Sequence, residues 1–133
     1  MPMLMHLSDL IVAANLGIML FFTVAVAPTI FVVLPQEWAS AYVRSFFPKY
    51  YLFLGLTTAA AAALSGVLLV QASLVAVALV FFLSRFWLTP QVNRARDNHQ
   101  TQRFKQLHAA SVGLNLVQLV VFVWIMVKSM GAA

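Results

Sequence analysis

The sequence predicts an all-α integral membrane protein, a bundle of four transmembrane helices with a short interfacial helix after the first span. Hydrophobic residues make up 63% of the chain and charged residues 8%, whereas soluble domains carry about 25% charged residues. A chain of 133 residues buries too small a share of its surface to hide this apolar excess from water. Lipid must therefore solvate much of the surface.

Four apolar runs define the predicted spans, at residues 7–34, 50–70, 72–89 and 107–127. Each run has roughly the 20 residues that an α-helix needs to cross about 30 Å of hydrocarbon. The runs are continuous, whereas a barrel needs alternating segments of about ten residues. Helices also satisfy every backbone hydrogen bond inside lipid. Residues 1–133 are therefore predicted to form one four-helix transmembrane domain.

The first run is predicted to be a retained helix and not a signal peptide. No Lys or Arg precedes it, and Asp9 lies at its start, whereas a signal peptide begins with positive charge. Pro28 lacks a backbone N–H and is expected to kink this helix near its inner end.

The first two connections differ in character. In residues 35–51, Trp38, Tyr42 and Phe46 recur at helical spacing, which predicts a short helix lying in the membrane interface. Pro48 suits the first turn of the second span. The second connection is reduced to about Gln71, so the second and third spans are expected to form a tight hairpin.

The basic residues predict the orientation in the membrane. Seven of the eight Lys and Arg residues fall at the first and third connections. The positive-inside rule places those connections in the cytoplasm, so a four-span chain has both termini outside. The expected location is the cytoplasmic (inner) membrane, crossed several times, and the net charge of +5 is attributed to topology and not to nucleic-acid binding. The seven residues are Arg44, Lys49, Arg85, Arg94, Arg96, Arg103 and Lys105.

The fourth span carries polar residues on one face. At about 100° per residue these side chains lie within about 80° of one another. Because unpaired polar groups are costly in hydrocarbon, this polar stripe should face protein or water. Two interpretations stay open: hydrogen bonds between helices, or the lining of a ligand site or pathway. The members of the polar stripe are His108, Ser111, Asn115 and Gln118.

Depth in the membrane predicts which polar side chains meet. Asn15 in the first span, Ser65 late in the second and Gln118 should lie at a similar level in the outer half, so a hydrogen-bonded layer of these three residues is predicted. Arg85 is expected at the depth of His108. Its side chain either extends to the cytoplasmic interface or contacts an anion near His108.

The histidines of the first and fourth spans are predicted to lie too far apart for a metal site. About 30 Å should separate His6 from His108, so no metal site is predicted, and haem held by two histidines would need a dimer or a ligand of another type. His6 is expected to pair with Asp9 at the outer surface. The chain has no cysteine, and its three carboxylates lie outside the middle of the membrane, so no catalytic residue is predicted.

Four stretches follow one another along the chain: MHLSDLIVAANLGIMLFFTVAVAPTIFVVLP, SFFPKYY, RFWLTPQVNRARD and FKQLHAASVGLNLVQL. In this order they resemble the first span, the entry to the second span, the end of the third and the fourth span of the transmembrane protein 205-like family, also catalogued as domain of unknown function 4149. The resemblance covers nearly the whole chain. It implies a four-helix protein of a cytoplasmic membrane and brings no established reaction.

The leading functional prediction is a non-enzymatic membrane protein, an accessory or small-molecule-handling bundle with no predicted cofactor. Two alternatives stay open. One is a redox protein that holds haem or quinone near His108 and Arg85, and the other is an oligomeric channel or transporter lined by the polar stripe. Membrane lipids are the expected partners, together with a second copy of the chain or another membrane protein, and no nucleic acid is expected.

Overall fold

The computed structural model describes residues 2–132 and consists of helices, with no strand in that range. Short π-helical turns at Phe22–Val26 and Ser84–Leu88 join α1 to α2 and α4 to α5, so the chain forms four long helical segments. The helices are α1 (Pro2–Phe21), α2 (Ala27–Val33), α3 (Gln36–Leu64), α4 (Leu68–Leu83), α5 (Thr89–Asp97) and α6 (Thr101–Ala132).

Three of these segments are long and apolar enough to cross a membrane, at Met3–Val33, Leu68–Asp97 and Thr101–Gly131, among the residues that the structure describes. They indicate a membrane protein. The helix α3 does not reach the same apolarity, because its more apolar half after Phe46 still contains Pro48, Lys49, two tyrosines and two threonines. The prediction of helices is confirmed, and the second span, in α3, stays a prediction.

The segments pack side by side, with α3 against α1 and α4, and α6 against α1 and α5. The core contains large side chains with almost no exposure, among them Met19, Leu54, Phe81 and Phe122. The outer surface is also apolar, as the exposed Leu10, Val32, Leu68 and Val127 illustrate. An apolar exterior around a core that includes buried polar groups is expected of a bundle in lipid.

The two ends of the bundle differ in charge. At one end, which we call the basic end, Arg44 Nη2 donates a hydrogen bond to Asp97 Oδ2 at 2.7 Å and joins α3 to α5. At the opposite end, which we call the hairpin end, Ser8 Oγ donates to the carbonyl of Ala61 at 2.8 Å and joins α1 to α3. Both basic connections of the sequence therefore lie at one end.

The hairpin between α3 and α4 lies earlier than predicted. The turn is at residues 65–67, so the expectation of a turn at Gln71 is wrong. Gln71 belongs to the first turns of α4, and its Nε2 donates to the carbonyl of Ala62 at 2.9 Å, which also accepts from the backbone N–H of Ser65 at 3.3 Å at the end of α3. The apolar residues 68–70 begin α4 instead of ending α3.

The separate interfacial helix that the first connection predicts is absent from residues 2–132. Its residues form the first turns of α3, which runs on through Pro48. Ala39 and Val43 pack against Ile30 of α2 and form a small apolar cluster. This packing holds the start of α3 in line with the rest of the helix, so the prediction of an independent element is wrong.

A π-helical turn precedes each of the prolines that lie near the basic end in the first and third segments. Because proline has no N–H and crowds the preceding turn, the helix widens there, and a threonine hydroxyl donates to a carbonyl in the turn before each proline. Thr29 Oγ1 donates to the carbonyl of Ala25 at 2.6 Å beside Pro28. Thr89 Oγ1 donates to the carbonyl of Ser84 at 2.7 Å beside Pro90. The distortion expected at Pro28 thus takes the form of a wider turn.

Candidate functional site

The polar stripe of α6 divides into a closed half and an open half. Gln118 is 3% exposed, and its Nε2 donates to the carbonyl of Val77 on α4 at 3.1 Å. The residue therefore acts as a bridge between two helices. This part of the stripe agrees with the interpretation as interhelical hydrogen bonding.

Asn15 closes the bundle on the side of α1. It is 1% exposed, its Nδ2 donates to Thr58 Oγ1 at 3.1 Å, and its Oδ1 accepts from Thr57 Oγ1 at 3.1 Å. The predicted layer of Asn15, Ser65 and Gln118 is wrong, because Ser65 lies in the hairpin and bonds with Val67. The two threonines of α3 take the place that the sequence reasoning gave to Ser65.

Asn115 lies at the border between the two halves. Tyr50 Oη donates to its Oδ1 at 3.3 Å, and its Nδ2 donates to Thr23 Oγ1 at 3.3 Å. Thr23 belongs to the first π-helical turn. The three side chains join the first segment, α3 and α6 at one level.

The half of the stripe that is nearer the basic end opens onto a cavity. Ser111 Oγ donates to the carbonyl of Leu107 in its own helix at 3.0 Å. His108 stacks on Phe104, with ring centroids 5.9 Å apart, and makes no hydrogen bond within residues 2–132. Together with Asn115 these residues line a cavity of about 520 Å³, which we call the inner cavity.

All four long segments contribute to the walls of the inner cavity. The third segment contributes through α5 and not through α4. The first π-helical turn contributes Phe22 and Thr23, and Thr89 directly follows the second one. Wider π-type turns occur frequently at functional sites. Further polar groups in the lining are Tyr51 and Asn93, and the remaining wall is largely aromatic and aliphatic.

Two arginines line the basic end of the inner cavity. Arg44 pairs with Asp97 and also donates from Nη2 to the carbonyl of Asn93 at 3.3 Å. The guanidinium carbon of Arg96 lies 4.8 Å from the centre of the Phe104 ring. Both side chains are guanidinium groups, which stay protonated at neutral pH.

A second cavity of about 660 Å³ adjoins the first at the basic end. We call it the vestibule. The two cavities share Phe31, Arg96 and Phe104 as wall residues. The vestibule is lined in addition by His99 and Lys105, and no Asp or Glu occurs in the lining of either cavity.

Three predicted site residues lie elsewhere. Arg85 does not line either cavity, and its guanidinium carbon lies 5.0 Å from the ring centre of Phe86, so the structure does not bring it to His108. At the hairpin end, Asp9 Oδ2 accepts a hydrogen bond from Ser129 Oγ at 2.5 Å. The predicted pair of His6 with Asp9 is wrong, because Ser129 of α6 occupies the carboxylate while His6 is exposed.

The arginines of the inner cavity were missed by the sequence reasoning, which treated them as markers of topology. A signal was present in the stretch after Pro90. Asn93 and Arg96 are three residues apart on α5, and residues at this spacing share a helix face. Both line the inner cavity.

Residues 10–102 match the model of a protein family described as Domain of unknown function (DUF4149). The match runs from α1 to the first turn of α6 and includes both π-helical turns, Arg44 and Arg96. Most of α6, including His108, lies beyond the matched residues. Comparison with curated proteins and with solved structures gives no match.

Proposed function

The chain belongs to the protein family described as domain of unknown function DUF4149. We propose that this member of the family is a four-span membrane protein that binds a small molecule in its inner cavity. The observation that carries this proposal is the division of the polar stripe. Gln118 is buried and paired with a neighbouring helix, whereas His108 is an exposed residue in the wall of a cavity and has no hydrogen-bond partner in residues 2–132. Polar groups left open in a cavity of this size are typical of ligand sites.

The proposed topology uses all four long segments as spans, with α3 as the second. Both basic connections would face the cytoplasm and both termini the outside of the cell membrane. The ion pair between Arg44 and Asp97 supports this arrangement, because it ties the two basic connections together. A reporter at the C-terminus that is active only outside the cytoplasm should be active, and activity of a cytoplasmic reporter there would contradict the topology.

The hydrogen bonds near the hairpin end favour a binding bundle over a pathway through one chain. Asn15 and Gln118 are buried and paired with α3 and α4. A polar pathway across the membrane would need these groups to face water. A binding site in the half of the bundle near the basic end does not require Asn15 and Gln118 to face water.

Haem or quinone is the second candidate ligand, and the position of His108 favours it. Imidazole is a ligand of haem iron, and His108 lines a mostly apolar cavity together with two arginines that suit anionic groups. His99 lines the vestibule and not the inner cavity. The absorbance spectrum of protein purified from its native membrane tests haem, since a bound haem gives a Soret band that is lost in His108→Ala.

A cavity-filling substitution tests the leading proposal. Ser111→Phe places a large ring where a hydroxymethyl group lines the cavity, and Val117→Phe makes a similar increase on an exposed face of the same helix. Both variants and the wild type would be purified gently, and bound small molecules identified by mass spectrometry. We expect Ser111→Phe to lose a molecule that the wild type and Val117→Phe retain. The same molecules on all three proteins would overturn the proposal.

A further inference from the structure

We propose that the ligand of the inner cavity is an amphiphile with an anionic headgroup, held with its head beside Arg96 and its apolar body among the aromatic side chains of the cavity. This inference rests on the proposed function and adds the chemical class of the ligand. It follows from the distribution of charge and apolar surface over the two adjoining cavities.

The charge in the two cavities has one sign. Arg44 and Arg96 line the inner cavity, Arg96 and Lys105 line the vestibule, and no carboxylate belongs to either lining. Asp97, which follows Arg96 in the chain, already pairs with Arg44 at 2.7 Å. Cavities lined by one sign of charge attract ligands of the opposite sign.

Arg96 lies at the junction of the two cavities, and its N–H donors are available for a ligand. It lines both cavities, and its guanidinium lies over the Phe104 ring. Its side chain makes no hydrogen bond to protein within residues 2–132, although a guanidinium carries five N–H donors in a planar fork. This fork matches the oxygens of a phosphate or carboxylate.

The deeper part of the inner cavity fits an apolar body. Phe22, Phe47 and Leu116 contribute to its wall, and the hydrogen-bonded group of Tyr50, Asn115 and Thr23 lies at the end away from the arginines. A ligand lying along this direction would place an anion between the arginines and an apolar chain or ring among the aromatic residues. Burial of that apolar part would supply most of the affinity.

The same chemistry could come from a free amphiphile or from an anionic phospholipid, and a binding experiment distinguishes these sources. Full-length protein in a neutral maltoside detergent would be titrated with dodecyl phosphate, dodecylphosphocholine or inorganic phosphate, with binding read by native mass spectrometry. Phosphatidylglycerol and phosphatidylcholine of equal chain length would be added in separate titrations. If dodecyl phosphate binds and phosphatidylglycerol does not, the ligand is a free amphiphile. If both bind, the headgroup site is open to lipid.

The expected result is a preference for the anionic head on an apolar chain. Dodecyl phosphate should bind about tenfold or more tightly than dodecylphosphocholine, because its head can receive charge-assisted hydrogen bonds without a competing cation. Inorganic phosphate should bind weakly because it lacks the apolar part. Equal affinity for the two dodecyl compounds would overturn the inference.

A matched pair of arginine variants locates the headgroup. Arg96→Ala should weaken binding of dodecyl phosphate about tenfold or more, whereas Arg94→Ala, which removes the same charge from an exposed residue outside both linings, should change it little. Arg96→Lys keeps the charge without the fork and should lose part of the affinity. Equal losses in Arg94→Ala and Arg96→Ala would show a general effect of charge and would contradict the inference.

The failure of this inference can be told apart from the failure of the proposed function. If dodecanol binds as well as dodecyl phosphate, and Ser111→Phe abolishes both, the cavity is a site but the anionic head plays no part. If Ser111→Phe leaves all binding unchanged, the cavity is not the site and both proposals fall. Thermal unfolding of each variant shows whether a loss of binding reflects a loss of fold.

Discussion

The side chain of Asn15 on α1 donates a hydrogen bond from Nδ2 to Thr58 Oγ1 on α3, at 3.1 Å, with both residues buried. Inside lipid there is no water to take the place of either partner. The pair therefore joins two helices and closes the polar interior near the hairpin end. The polar side chains that are not closed off in this way lie towards the basic end, where the inner cavity begins.

The hydrogen bond between Asn15 and Thr58 should contribute measurably to stability. In a double-mutant cycle of Asn15→Leu and Thr58→Val, we expect a coupling of about 0.6–2 kcal/mol in the free energy of unfolding. Unfolding by sodium dodecyl sulfate in mixed micelles gives the measurement. The cycle of Asn15→Leu with Ser65→Ala is the control, because Ser65 does not touch Asn15, and a coupling there as large as the first would contradict the structure.

Close packing between α3 and α4 should make Gly55 sensitive to substitution. A Cβ atom at Gly55 would lie 2.9 Å from the Phe82 ring, whereas one at Gly113 would meet nothing within 4 Å. Gly55→Ala is expected to lower the free energy of unfolding by about 1–3 kcal/mol, since overpacking displaces the ring. Gly113→Ala should be neutral or slightly stabilising. Thermal midpoints in one detergent compare the two variants, and equal midpoints would argue against this packing.

The ion pair at the basic end should matter more for binding than for stability. Arg44 and Asp97 have side-chain exposures of 43% and 57%, and exposed pairs contribute about 0–1 kcal/mol. Asp97→Asn should therefore leave the unfolding midpoint nearly unchanged. The same variant should bind dodecyl phosphate severalfold more tightly, because it frees Arg44 and removes a negative charge near the proposed headgroup. Weaker binding in Asp97→Asn would contradict this view of the ion pair.

The two threonines that support the π-helical turns should differ in their effect on binding. Thr29→Val and Thr89→Val each remove a hydroxyl that donates to a carbonyl before a proline, and each should cost about 0.5–1.5 kcal/mol of stability. Only Thr89 lines the inner cavity, so only Thr89→Val should also weaken ligand binding. Parallel measurements of thermal midpoint and affinity check this, and equal binding losses in the two variants would refute it.

The long helices follow from the sequence more directly than their ends do. Apolarity summed over a span is a strong signal, and it predicts the segments around α1, α4 and α6. At the end of α3, by contrast, the carbonyl of Ala62 accepts from both the N–H of Ser65 and Nε2 of Gln71, and the second of these contacts comes from the next helix. The continuity of α3 through Pro48 likewise depends on packing of Ala39 against α2, which no local pattern displays.

The candidate site is predicted in part. The polar stripe appears in the sequence because four side chains repeat at the helical period, and His108 and Asn115 do line the inner cavity. Arg44 and Arg96 come from two connections that are distant in the sequence, so only the fold brings them together. Thr57 and Thr58 could not be singled out as the partners of Asn15, because two adjacent threonines in an apolar run carry no periodic signal.

The central claim is that the inner cavity holds a ligand, and a density map of the protein purified from its native membrane tests it most directly. We predict density that belongs to no residue of the chain, bounded by His108, Ser111 and Asn115, with a polar end beside Arg96. A map in which this cavity has closed, with the His108 ring hydrogen-bonded to a neighbouring helix and no additional density, would contradict the account.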